Sequence, residues 1–293
     1  VSASVSLSIV TNTAIAASKG FAWLVTGSPT LFAETIHSVA DVANQVLLRV
    51  GEIRSRRGPD PRHPFGHGQE AFFWALVSAV SVFFIGCGIN VYHGVHALLA
   101  PTAVEPFTPL VLALLLFALA LESLTFVVAI REIGGWKGLL ANRANTTVLA
   151  VVLEDAVALV GILLTLVVAA VSLAAGPQPA FDAMVAIVVG VMLGAMALFL
   201  AALNRRLLID ATDPALDVAV GEFLTARGIP AEVSSIVLDA ERSVVFVRVA
   251  AGLSGGRQTE SYALGQALKA HARSRYGKTI EAVYWKFPSP PAA

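Results

Sequence analysis

Apolar stretches near 5–26, 31–53, 71–99, 107–130, 146–174 and 180–203 fill the first two thirds of the chain, parted by short breaks such as Gly27-Ser28-Pro29. Each reaches the ~20 residues that an α-helix needs to cross the hydrocarbon core of a bilayer. The pattern therefore predicts six transmembrane helices. After Arg206 the rhythm changes to shorter amphipathic units. A polar helix is expected over Pro214–Arg227, strands over 232–239 and 243–249, a helix from about Gln258 to Ser274, and a strand over Thr279–Phe287. The fold class that follows is an α-helical membrane protein. It has a six-helix transmembrane domain over 1–206 and a C-terminal cytoplasmic α/β domain of order αββαβ over 207–293.

Basic residues give that reading an orientation. Arg49, Arg54, Arg56, Arg57, Arg62, Arg131, Lys137, Arg143, Arg205 and Arg206 fall at the ends of the even-numbered segments or in the loops after them. The breaks at 27–30, 100–106 and 175–179 hold no Lys or Arg. By the positive-inside rule both termini are cytoplasmic, and a multi-pass protein of the cell (inner) membrane is expected. The first segment runs into its turn without a small-residue cleavage site, so it reads as a retained helix and not as a signal peptide.

Composition agrees with the bilayer reading. The chain has 293 residues, 56% hydrophobic and 14% charged, where an average soluble domain has about 25% charged residues. A formal net charge of zero offers nothing to a polyanion, so no nucleic-acid partner is expected. The C-terminal part carries as many acids as bases and is no clamp for anionic lipid. The single cysteine, Cys87, excludes an internal disulfide and a cysteine zinc finger, and reads as a buried structural thiol.

The chemistry lies where polar residues interrupt the apolar segments, because ionisable groups at bilayer depth are expensive. In the second segment Glu34, His37 and Asp41 are spaced so that, at ~100° per residue, they project from one helix face. Imidazole nitrogen with carboxylate oxygen suits zinc and tolerates manganese, cobalt or iron. The fifth segment offers Glu154 and Asp155, about 100° apart, so that one can face the second helix while the other faces elsewhere. A protonated helix–helix hydrogen bonder is the alternative for either. Between the second and third segments, Asp60, His63 and His67 stand among Pro and Gly residues that let a loop gather side chains. They are candidates for a second, more exposed metal site, or else for a basic turn before the third helix.

Other buried polar groups are Lys19, Asn44, Asn90 and Glu122. Lys19 and Glu122 are expected either to pair across helices or to lie on an ion or proton route. His93 and His96 read as interfacial residues, and Asp182 as the cap of the sixth helix at the outer surface.

Six spans, His-x-x-x-Asp in the second, an acidic pair in the fifth, the loop Asp60-Pro-Arg-His63-Pro-Phe-Gly-His67-Gly and an αββαβ tail together resemble the cation diffusion facilitator family of divalent-metal/proton antiporters. The resemblance covers almost the whole chain. It implies a transport site between helices two and five, with His37, Asp41 and Asp155 at three of its four ligand positions, and a loop metal site at Asp60, His63 and His67. The family's further ligand, four residues before the aspartate, is commonly His or Asp, and here it is Val151. Glu154, water or another helix then has to fill the vacancy. The Leu-Glu-Asp pattern with Glu34 and Glu122 is similar to a subgroup that includes the ninth zinc transporter of animals and its bacterial relatives. The tail resembles the family's dimerisation domain. It holds only His271 and no cysteine, so the regulatory zinc sites of some relatives are not expected.

The resemblance implies a homodimeric secondary transporter, not an enzyme, that exports zinc or another divalent cation in exchange for protons. Metal is then substrate, protons are the counter-ion, and no cofactor is permanently bound. Two rival classes share the ligand set. An intramembrane metalloenzyme needs a further base and a pattern such as His-Glu-x-x-His, which the chain lacks. A non-transporting metal sensor or scaffold would bind metal and a partner without moving either.

Overall fold

The computed structural model describes residues 3–101, 104–132, 135, 146–239, 241–249 and 261–287, with 3–11, 132 and 146–151 described by backbone alone. Lys137, Arg143, Arg257, Gln258 and the 288–293 tail lie outside the described residues. Two compact units emerge: residues 1–51 with 73–204, and residues 52–72 with 205–293. The loop between the second and third helices thus belongs with the C-terminal unit.

The first unit is helical. Its elements are α1 (Ala3–Thr26), α2 (Pro29–Ser55), α3 (Glu70–Leu99), α4 (Pro109–Glu132), α5 (Thr146–Ala175) and α6 (Pro179–Leu208). Four helical stretches among the described residues are long and apolar enough to cross a membrane: Glu70–Leu99, Pro109–Arg131, Val152–Ala175 and Pro179–Leu208. In α1, Ser, Thr and Asn side chains dilute the apolar character; in α2, Glu34, His37, Asp41 and Asn44 do. Both are nevertheless helices of 24 and 27 residues. The turn joining them needs Gly27, whose φ of 68° lies in the left-handed region that side chains disfavour.

Leu31, Val111, Leu115, Val189 and Leu193 are among the residues that form the core of this unit, while Leu24, Phe84, Leu99, Leu110, Leu124 and Leu163 face outward. Apolar side chains on both the inside and the outside are what a lipid-facing bundle requires. Without a hydrophobic drive between helices in lipid, close contact depends on small residues. The α3–α6 pair shows this. A Cβ on Gly94 would come within 2.6 Å of Ile187 Cγ1 and 3.1 Å of the Ala183 carbonyl oxygen, and one on Gly194 within 2.7 Å of Cys87 Sγ. Cys87, expected to be buried, is half-buried against that glycine. Its helix widens over Val82–Ile89 into an eight-residue π-helical stretch, with α-helix on either side.

The second unit has α7 (Pro214–Thr225), β1 (Ala231–Val237), β2 (Arg242–Val249), α8 (Ser261–Tyr276) and β3 (Thr279–Lys286), the expected αββαβ order. Asp213 starts α7 by accepting a hydrogen bond from the Leu216 backbone N–H at 3.2 Å, with Pro214 in the first turn where its missing N–H costs nothing. The sheet order is β1-β2-β3, antiparallel between β1 and β2 and parallel between β2 and β3. Val245, Val247 and Val249 pack under both helices, on Leu216, Val220, Phe223, Leu224, Leu268 and Ala272. The alternate positions, such as Phe246, lie on the opposite face.

Because Gly94 lets two backbones touch, Gly94→Ala should cost about 1–3 kcal/mol of stability by overpacking. A lowered unfolding midpoint in detergent checks this, and an unchanged midpoint would mean that α3 and α6 can spread.

Candidate functional site

Spacing along α2 produces one polar stripe: Glu34, His37, Asp41 and Asn44 are all buried, at 0, 0, 7 and 4% exposure. Each meets a different neighbour. At the first level the Lys19 ammonium of α1 lies 2.8 Å from Glu34 Oε2 and 3.7 Å from Glu122 Oε1 of α4. Lys19 thus pairs with both acids, the nearer being Glu34, on the same α2 face as His37 and Asp41. The other side of Glu34 rests on α5 at Gly161, where a Cβ would stand 2.0 Å from Oε1.

At the second level His37 Nε2 approaches Asp41 Oδ2 at 3.2 Å. Neither ring nitrogen of His37 has a hydrogen-bond partner, and the same is true of Asp41 Oδ1 and Asp155 Oδ2. Asp155 lies in electrostatic range of Glu122, Asp41 and His37, and shares a hydrogen bond with the Thr125 side chain. Buried polar atoms left unpaired cost about 1–3 kcal/mol each. One imidazole nitrogen and two carboxylate oxygens are donor types that suit a borderline divalent cation, but the ligand atoms of His37, Asp41 and Asp155 do not all lie within 4.8 Å of one another.

At the third level Asn44 donates through Nδ2 to Glu154 Oε1 and accepts from the Ser78 hydroxyl of α3. Glu154 therefore has an amide partner on α2, and with Asn44 and Asn204 it lines a small cavity. Adjacent residues diverge on a helix, which is why Asp155 and Glu154 reach different levels of the stripe. The side chain of Val151 lies outside the described set.

Asp182 does not cap its own helix. Its Oδ1 accepts from the Thr30 backbone N–H at 2.8 Å, and its carbonyl accepts from Thr30 Oγ1 at 2.7 Å, so it caps the start of α2. Asp182 N bonds the carbonyl oxygen of Gln178, the residue just before α6, so Asp182 sits past the capping position. The ring of His93 packs on Phe32 with centroids 4.0 Å apart.

In the second unit the loop draws its three candidates together. One ligand atom from each of Asp60, His63 and His67 lies within 4.8 Å of the others, and among the described residues no other such group of three occurs. The loop folds this way because Asp60 Oδ1 accepts from the backbone N–H groups of Arg62 and His63, both at 2.8 Å. Partial desolvation pushes the Asp60 carboxyl up, but these two N–H groups and the His63 ring outweigh it and hold the carboxyl below the ordinary range. His67 Nε2 stands 3.4 Å from Asp60 Oδ2. Gly68 fixes the loop to the β1–β2 turn, since a Cβ there would lie 2.8 Å from the Leu238 carbonyl oxygen. Phe65 meets Tyr284 edge-on at 6.4 Å.

Sequence reasoning missed Thr125, Ser78 and Gly161. Only Gly161 carried a signal, as a small residue in an otherwise bulky apolar segment.

The chain is 35% identical over 201 residues to the mitochondrial proton-coupled zinc antiporter SLC30A9 of Xenopus laevis, a match covering 65% of this chain and 35% of that protein. It is 36% identical over 203 residues to metal tolerance protein C4 of Arabidopsis thaliana, covering 64% of this chain and 42% of the relative. A shorter similarity, 34% over 95 residues, links it to the manganese efflux system protein MneP of Bacillus subtilis, with 32% of this chain and 30% of the relative covered. The chain thus matches well under half the length of each of these relatives. Residues 5–209 match the model of the cation efflux transmembrane domain, and on that match the chain belongs to the cation efflux family, the cation diffusion facilitators.

Proposed function

We propose that the protein exports a divalent cation, zinc first, from the cytoplasm by proton antiport, with His37, Asp41 and Asp155 as the transport ligands. The observation that carries this reading is the set of buried, unpaired donor atoms on those three residues. Family membership and the zinc and manganese names of its relatives support it. Ligands must be deprotonated to bind metal, so cation capture and proton release are linked at one place. Imidazole titrates near physiological pH, which makes His37 the proton carrier. Facing the cytoplasm, the site takes the cation. Facing outward, protonation of His37 expels it, which is the logic of alternating access at a midplane site.

In this reading α1 and α2 cross the bilayer with the other four helices. At ~1.5 Å per residue their 24 and 27 residues exceed the ~30 Å hydrocarbon core. The basic residues then place both termini in the cytoplasm, in a bacterial-type inner membrane, with the αββαβ unit joining a homodimer. The loop triad Asp60, His63 and His67 is a second metal site, not on the transport path. Glu154 serves helix packing through Asn44, which leaves water or another helix to complete the transport ligands.

Zinc-driven proton flux in sealed proteoliposomes tests the reading. A metalloenzyme would turn over without a gradient, and a sensor would show neither flux nor turnover. Asp41→Ala or Asp155→Ala should lower transport by at least ~100-fold while leaving a folded protein, since loss of even a ligand's outer partner costs ~10–100-fold. Normal transport by either variant would sink the site. Glu154→Gln is expected to transport like the wild type, because Gln can still accept from Asn44; a large loss would return Glu154 to the ligand set. His63→Ala with His67→Ala should remove a zinc ion per protomer in calorimetry and spare transport. Unchanged stoichiometry would make the loop a turn only.

A further inference from the structure

We propose that Lys19 is a positioning residue for cation transport, a tethered counter-cation that keeps Glu34 and Glu122 from competing with His37, Asp41 and Asp155 for the cargo. The proposal rests on the transport reading above. Glu34, Asp41, Glu122, Glu154 and Asp155 are all buried in the helical unit. Among the described buried residues the only Lys or Arg is Lys19, at 1% exposure. A divalent cation does not distinguish one carboxylate from another by chemistry alone. Something must decide which of these acids it meets.

The geometry divides them. Glu154 is engaged by Asn44. Glu34 and Glu122 come from different helices and converge on one ammonium, at 2.8 and 3.7 Å. With that ammonium removed, the two carboxylates would face each other across a solvent-free gap, an arrangement that invites a divalent cation. Glu34 has no retreat, because its Oε1 is buried without a partner and rests on Gly161. Asp41 and His37 both lie within the electrostatic range of Lys19, so the ammonium also borders the cargo ligands without ligating anything. Lys19 thus acts through the two glutamates. By occupying them it confines the metal to the neighbouring level of the α2 stripe.

A simple staple between α1 and α2 would use the same ion pair, so the test has to read more than stability. Zinc stoichiometry by calorimetry in detergent and zinc-driven flux in proteoliposomes are measured on the full chain carrying Lys19→Met, Lys19→Arg, or Lys19→Met with Glu34→Gln. Lys19→Met should bind an additional zinc ion per protomer. Its turnover at saturating zinc should fall ~10-fold or more, on the scale of a lost outer partner, while KM does not rise. Lys19→Arg should keep wild-type stoichiometry and most of the turnover. Adding Glu34→Gln to Lys19→Met should abolish the surplus ion and restore turnover to within a few-fold of wild type. Wild-type stoichiometry in Lys19→Met overturns the proposal. If Lys19→Met does not fold, the double variant decides alone: near-normal turnover upholds the proposal, and a tenfold or greater loss overturns it in favour of the staple. Absence of flux in the wild-type protein would instead refute the transport reading, leaving the stoichiometries to judge Lys19.

Discussion

The Lys19 ammonium, 2.8 Å from Glu34 and 3.7 Å from Glu122 with almost no exposure, sets terms for everything around it. Removing one partner of such a buried pair leaves an uncompensated charge, at a cost of about 3–5 kcal/mol. Three helices, α1, α2 and α4, are therefore held together by charge where apolar packing alone would tolerate sliding. The fourth neighbour, α5, contributes a glycine so that the carboxylate has room. The ion contact and the missing Cβ of Gly161 are two halves of one arrangement.

From that level the polar stripe of α2 is divided among neighbours by height. Glu34 belongs to the ion contact, His37 and Asp41 to the unpaired donor set, and Asn44 to an amide relay between Glu154 and Ser78. The division matters because acids crowded at one height would repel one another or share protons. Separation along the helix axis lets one face of one helix carry an ion contact, an unpaired donor set and a packing contact without mixing them. The exposed loop triad stands in the other unit and has a different logic. There, backbone N–H groups hold the carboxylate of Asp60, and two imidazoles complete the cluster.

Much of this was legible in the residues themselves, for definite reasons. Apolar length marked the helices of the first unit, and alternation marked β2, because both are direct traces of a periodic backbone. The loop triad was legible because its members are close in sequence and its Pro and Gly residues permit a tight turn. The partners of the stripe were not. Lys19 was seen as a partner for Glu122, whereas its nearer contact is Glu34, because helix phase across a bundle depends on tertiary rotation that spacing does not encode. The same applies to Asp182, whose carboxylate reaches across to Thr30 of α2. Adjacency of Glu154 and Asp155 on a helix means divergence, and which neighbour Glu154 meets, the Asn44 amide on the next turn of the stripe, is likewise set by tertiary rotation.

The widened stretch Val82–Ile89 in α3 also governs how that helix addresses α2. Ser78 and Asn90 flank it, and both reach α2, Ser78 at the Asn44 amide and Asn90 at the Ala33 carbonyl oxygen. Twelve residues of uninterrupted α-helix, at ~100° each, would leave them about 120° apart around the axis. An i→i+5 stretch turns less per residue, so it takes up that offset. The widened stretch works as a phase corrector, allowing one helix to present polar groups to the same neighbour at both ends. A residue deleted within it would do its damage at a distance, by rotating one half of the helix against the other.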